Sequence, residues 1–119
     1  MAAKPAELYN PHCPSRDVLE LVGSKWGLLI ICTLRRRPTR TGDLMRGIGG
    51  ISQKMLTQTL RGLQDNGFVE RVSYHEVPPR VEYRLTALGK SLSVLSQAME
   101  NWVVAHYPAI LEHRNRRSG

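Results

Sequence analysis

Several things are missing from this sequence of 119 residues, and each absence removes a class of function. No apolar run approaches the roughly 20 residues that a membrane-crossing helix needs. No apolar stretch near the N-terminus resembles a secretion signal. Two cysteines, Cys13 and Cys32, are too few for a disulfide scaffold, so reduced thiols in the cytoplasm are expected. There is no phosphate-cradling Walker loop, no dinucleotide-binding glycine pattern and no HExxH zinc motif. The four histidines, at 12, 75, 106 and 113, are scattered, and a lone His12-Cys13 pair does not make a ligand set. Ser52 has no base beside it in sequence. We therefore expect neither an enzyme nor a metal or cofactor. There is also no internal repeat and no low-complexity tract.

Acid is scarce where base is abundant. Residues 35–90 hold eleven Lys or Arg against five Asp or Glu, which places +6 of the total +7 in that middle segment. A sequence pI near 10.0 points to an anionic partner, nucleic acid or an anionic surface, and the distribution says the partner meets the middle.

The periodicity predicts an α+β, mostly helical chain. Residues 1–12 have no period and read as an arm. Cys13-Pro14 opens a first helix, since proline suits the first helical position, where its missing N–H would be unpaired anyway. A second helix over 25–35 is apolar nearly all round and belongs in a core. Pro38 ends it, and Thr39 to Thr41 forms a short extended piece. A third helix spans Gly42 to Ile48. Gly49-Gly50 turns the chain into a fourth helix, with Ser52 as N-cap, an Ile51–Leu56 staple, and Asn66-Gly67 as its stop. Helix, glycine turn and bounded second helix make a helix-turn-helix over 42–66. Phe68–Tyr74 and Val81–Leu85 are β-like runs, the second cleanly alternating, around a proline-stiffened tip, a wing over 68–85. Thr86 caps a last helix, expected over 87–107 and broken by Pro108, with a basic tail after it.

The fourth helix keeps Leu56, Leu60 and Leu63 on one side and Gln53, Lys54, Thr57, Gln58 and Arg61 on the other. Lys and Arg match guanine acceptors and Gln matches adenine, while Thr can bond or touch a methyl. With Ser52 at the helix N-terminus for a phosphate, this is the face that a helix-turn-helix lays in the major groove. Arg80 at the wing tip is placed to enter the minor groove, which attracts arginine. Arg35, Arg36, Arg37 and Arg40 either touch phosphates or are a solvated charge run. The plain alternative for the whole face is a solvated surface that lacks acids, and an adaptor that binds protein instead of DNA is the competing function.

On the last helix, Leu88, Leu92, Leu95, Met99, Trp102 and His106 are spaced 4, 3, 4, 3, 4, a heptad seam. It either closes the monomer's core or joins two copies. Because it follows the wing and has little left to cover, the two-fold seam is the favoured reading.

These residues resemble the HxlR-type family of bacterial winged helix-turn-helix regulators, close to the MarR type. Cys13-Pro14, Val22-Gly-Ser-Lys-Trp26, Gly50-Ile-Ser52 with Met55-Leu56, and Glu76-Val-Pro-Pro-Arg-Val-Glu-Tyr83 with Leu85-Thr86 and Gly89 carry the likeness. It implies a homodimeric transcription factor that reads duplex DNA with 53–66, carries Arg80 on its wing, and responds to a small molecule or an oxidant. It also implies a sensing role for Cys13, whose thiol at a helix N-terminus near His12 and Arg16 should have a lowered pKa. Cys32 is expected to be inert core. Thr41 and Gly42 depart from the family's aromatic and Ser cap, implying a looser start to the third helix. Ser24 replaces a frequent Gly, which is expected to be harmless.

Overall fold

The computed structural model describes residues 7–118; the arm's residues 1–6 lie outside the described residues. The order of elements is α1 (Pro14–Gly23), α2 (Lys25–Arg36), β1 (Thr39–Arg40), α3 (Thr41–Gly47), α4 (Gln53–Asp65), β2 (Val69–Tyr74), β3 (Arg80–Leu85) and α5 (Ala87–Ser118). The strands form one antiparallel sheet in the order β1-β3-β2. Val69 pairs with Leu85 at its base and Tyr74 with Arg80 at its tip, while Thr39 lies opposite Tyr83.

The core collects the apolar side of each amphipathic element. Ile30, Ile31 and Leu34 of α2 meet Leu44 of α3 and Leu56, Leu60 and Leu63 of α4, with Phe68, Val69 and Leu85 closing the sheet end. Ile51 and Leu56 are both buried, as a staple requires. Glycines sit at the two turns where the backbone takes a positive φ, Gly50 at 83° and Gly67 at 81°. After Gly67 the Phe68 N–H donates to the Leu63 carbonyl at 2.9 Å, the bond that closes a Schellman stop on α4.

Ser24 does more than replace a glycine. Its Oγ accepts from the Gly27 N–H at 3.1 Å and donates to the Leu21 carbonyl at 2.8 Å, so it ends α1 and caps α2 together. By contrast, α3 spans Thr41–Gly47 behind Arg40 with no side-chain cap, so Gly42, expected at the cap position, lies inside the helix.

Pro108 does not end the last helix. α5 continues through it to Ser118, so the helix is 32 residues long, beyond the expected 107. A proline in a helix removes one hydrogen bond and crowds the carbonyl four residues back, a cost of about 3 kcal/mol. Here that carbonyl belongs to Val104, in a stretch that stands clear of the body, where water can satisfy it. Good helix formers follow, and Arg116 and Arg117 lie in the last turn, where cations complement the helix dipole. At 1.5 Å per residue α5 is about 48 Å long, against a longest molecular dimension of 58 Å.

Only Gly89, Ser93 and Ser96 of α5 are buried; Gly89 lets α5 start close on Phe68, and Ser93 accepts a hydrogen bond from Arg35 of α2. Of the heptad positions, Leu92 packs on the core. The others do not: Leu95 is 70 % exposed, Trp102 54 %, and Leu88 and Met99 are similar. His106 is also exposed and stacks on Trp102, ring centroids 4.3 Å apart. Within one chain the seam other than Leu92 is left largely uncovered.

Candidate nucleic-acid interface

The α4 face is built as its sequence suggests. Ser52 Oγ accepts from the Met55 N–H at 3.0 Å, which fixes the first turn. Gln53, Lys54, Thr57, Gln58 and Arg61 are all exposed on the side opposite the buried leucines. Thr59, between them in sequence, turns inward and donates to the Met55 carbonyl at 2.8 Å. Among the described residues neither Lys54 nor Arg61 forms an ion pair. Their charges are therefore presented to solvent, Lys54 in the first turn beside the partial positive end of the helix and Arg61 two turns further along.

Arg80 is placed differently from a free tip residue. It begins β3, and its guanidinium lies 4.0 Å over the Tyr74 ring. Glu76 is 3.5 Å and Glu82 3.8 Å from it, and the Tyr74 hydroxyl donates to Glu82 at 3.4 Å. The side chain is 29 % exposed, so most of it is spent bracing the hairpin. The outermost points of the wing are instead His75, Glu76, Val77, Pro78 and Pro79.

One residue escaped the sequence reading. Arg46, on α3, lines a groove of about 370 Å³ together with Arg40 and Arg80. Arg46 is ion-paired with Asp43 one turn earlier. The three arginines come from α3, β1 and β3, and only the pairing of β1 with β3 brings them together. No short-range sequence signal announces that.

Cys13 is the N-cap of α1 and is partly exposed. Its pKa is held below the ordinary thiol value first by the Ser15 backbone N–H, with help from the Ser15 hydroxyl and the Glu7 and Arg16 backbone, against some desolvation. The direction agrees with expectation, but the cause is backbone N–H groups rather than side-chain charge. The Arg16 guanidinium is turned away to the Tyr9 carbonyl, at 3.1 Å. Cys32 is buried, and burial, with Glu100 beside it, pushes its thiol up to about 12. It is protonated and inert at neutral pH.

Among the described residues no helix is long and apolar enough to cross a membrane, and no group of three or more His, Cys, Asp or Glu stands where it could hold a metal ion.

Comparison with known proteins matches residues 21–110 to the family model of HxlR-like helix-turn-helix proteins. The HTH-type transcriptional regulator YtfH of Escherichia coli (strain K12) is 44 % identical over 115 residues, 97 % of this chain and 91 % of that protein. Among solved structures, the Salmonella typhimurium protein ytfH, named as a transcriptional regulator, is 45 % identical at a TM-score of 0.87, over 92 % of this chain and 98 % of that one. The redox regulator HypR in its oxidized form is 35 % identical at a TM-score of 0.72, over 78 % and 96 %.

Proposed function

Because the chain belongs to the HxlR-like helix-turn-helix family of transcriptional regulators, which are not enzymes, we propose that it works as a cytoplasmic homodimer seated on duplex DNA. The observation that carries this is the α4 face: five exposed donors, two of them unpaired cations, on a helix whose other side is locked into the core. α4 enters the major groove, with Gln53, Lys54, Thr57, Gln58 and Arg61 toward base edges and phosphates. The Ser52 end approaches a phosphate. Arg40 meets the backbone from β1. Arg80 reaches the minor groove only by leaving Glu76 and Glu82, so its share of the binding energy is smaller than that of Lys54 or Arg61. Leu88, Leu95, Met99, Trp102 and His106 pack against their copies in a second chain, with Leu92 at the edge of that seam. Two copies related by a two-fold axis read a roughly palindromic site, half-sites about 34–36 Å apart or a multiple of that.

A second reading, regulation by oxidation, rests on Cys13. A partly exposed thiol with a lowered pKa is the reactive kind, and HypR, similar along most of this chain, is named a redox regulator. Two Cys13 thiols, one from each copy, lose two electrons and two protons to an oxidant such as diamide and form an intersubunit disulfide. A single thiol oxidised by peroxide gives a sulfenic acid.

Salt titration of DNA binding tests the main reading. A DNA binder loses affinity with a log–log slope of about −0.9 per phosphate neutralised, and Lys54→Ala or Arg61→Ala lowers affinity by about 1–3 kcal/mol where a base contact is lost, or reduces the slope by about 1 where a phosphate contact is lost. A winged-helix adaptor for another protein would show no duplex affinity at any ionic strength.

A further inference from the structure

Arg35, Arg36 and Arg37, which could have been an idle charge run, are exposed but share one concavity. They line a pocket of about 470 Å³ between the end of α2, the base of β3 and the first turns of α5, joined there by Arg84 and Lys90. Leu34, Leu85, Pro38 and Val94 supply an apolar wall. The geometry points to a binding site for a small organic anion, a carboxylate or similar acid on an apolar body, in this pocket.

Three observations carry it. The first is charge. Five cations from three elements converge, and no acid lines the pocket. Of these five, only Arg84 has an ion-pair partner among the described residues, Glu70. Arg35 and Arg36 partly offset the negative end of the α2 dipole, but that accounts for neither Lys90 nor Arg37 and Arg84. Like charges gathered without counter-charge cost folding energy, which a bound anion returns. The second is shape and polarity: the volume lies within the 300–1,000 Å³ or so of ordinary ligand sites, and an apolar wall with a few polar groups is their usual lining. The third is rigidity. Leu34 and Leu85 are core residues, and Arg35 is already held by a hydrogen bond of 3.3 Å to the buried Ser93 hydroxyl.

The pocket is separate from the DNA-facing surface. It includes no residue of α3, α4 or the wing tip, and Arg84 is at the opposite end of β3 from Arg80. The inference does not rest on the DNA reading, and the two can fail independently.

The test uses the full chain and equilibrium dialysis of 2-naphthoate, with 2-naphthalenemethanol and inorganic phosphate as comparators. The expected result is saturable binding of one naphthoate per chain. The uncharged alcohol and bare phosphate should each bind at least tenfold more weakly. Arg37→Ala with Lys90→Ala, both exposed and so harmless to the fold, should weaken naphthoate at least tenfold, and Val94→Glu, which adds a negative charge to the wall, should do the same. Far-UV circular dichroism checks that each variant is folded. Absence of naphthoate binding, equal binding by the variants, or phosphate binding as tightly as naphthoate each overturns the site. So does a reduced salt slope for duplex binding in the double variant, because the cations would then be serving DNA phosphates.

Discussion

Gly89→Ala puts two opposed effects against each other. Within a helix, alanine is favoured over glycine by about 1 kcal/mol, so on propensity alone the variant should be more stable. The structure reverses the sign. An added methyl at Gly89 would lie 1.9 Å from the Phe68 carbonyl oxygen and 2.9 Å from its carbon, where ordinary contact starts at 3.4 Å, so about 1.5 Å must be found between two backbones. The same oxygen accepts the Thr86 N–H at 3.0 Å, and the Gly89 N–H is itself bound to Thr86 Oγ1 at 3.1 Å. Moving α5 away disturbs both bonds, each contributing about 1 kcal/mol, on top of the 1–3 kcal/mol typical of overpacking. After the propensity gain, a net loss of about 2–4 kcal/mol remains. Urea unfolding at matched protein concentration measures it, because the stability of any chain that self-associates depends on concentration. Gly47→Ala is the control: nothing stands within 4 Å of its new methyl, and it should be neutral or slightly stabilising. If Gly89→Ala proves as stable as the parent, the close contact of α5 with Phe68 is wrong, and with it the direction in which α5 leaves the body.

Three further outcomes are expected. Cys13→Ser should leave duplex binding intact and abolish any response to diamide, and in the parent the rate of Cys13 alkylation should rise with pH through a midpoint below that of a free thiol; a variant that still responds clears Cys13 of sensing. Cys32, raised from 9.0 to about 12, favours the neutral thiol in the folded state, so its contribution to stability is intact below 9.0 and is lost as pH rises toward 12; Cys32→Ala should unfold less steeply over that window in alkaline urea titrations, and an unchanged profile refutes the assignment. Leu95→Glu or Trp102→Glu should convert a dimer to a folded monomer in sedimentation equilibrium, since both side chains are exposed within one copy, and an unaltered mass would place the seam elsewhere.

Local chemistry was enough to delimit most of the elements. Ser52 and Gly67 bound α4 because a hydroxyl cap and a positive φ are properties of single residues. Leu56, Leu60 and Leu63 declare the buried face of α4 through spacing alone, and the exposed Gln53-to-Arg61 face follows as its complement. Pro108 was misleading, since the cost of a proline depends on what surrounds the orphaned carbonyl, and that is a matter of where α5 stands relative to the body.

Position across the fold was beyond the sequence. Arg80 reads as a free tip charge in the string Pro-Pro-Arg, yet strand pairing sets it beside Tyr74 and Glu82, where it braces the wing. The heptad spacing on α5 leaves both a core and a two-fold seam open, and only the helix's place after the wing favours the seam. Packing rules out the core for most of it: Gly89 lies on Phe68, Ser93 is bonded to Arg35 of α2, and Leu95, Met99 and Trp102 are left outside. Likewise, Arg35 to Arg37 become the wall of a pocket only when β3 and α5 bring Arg84 and Lys90 to them. Spacing along a chain specifies which side of its own element a residue occupies; which other elements lie against that side is set by packing among segments distant in sequence.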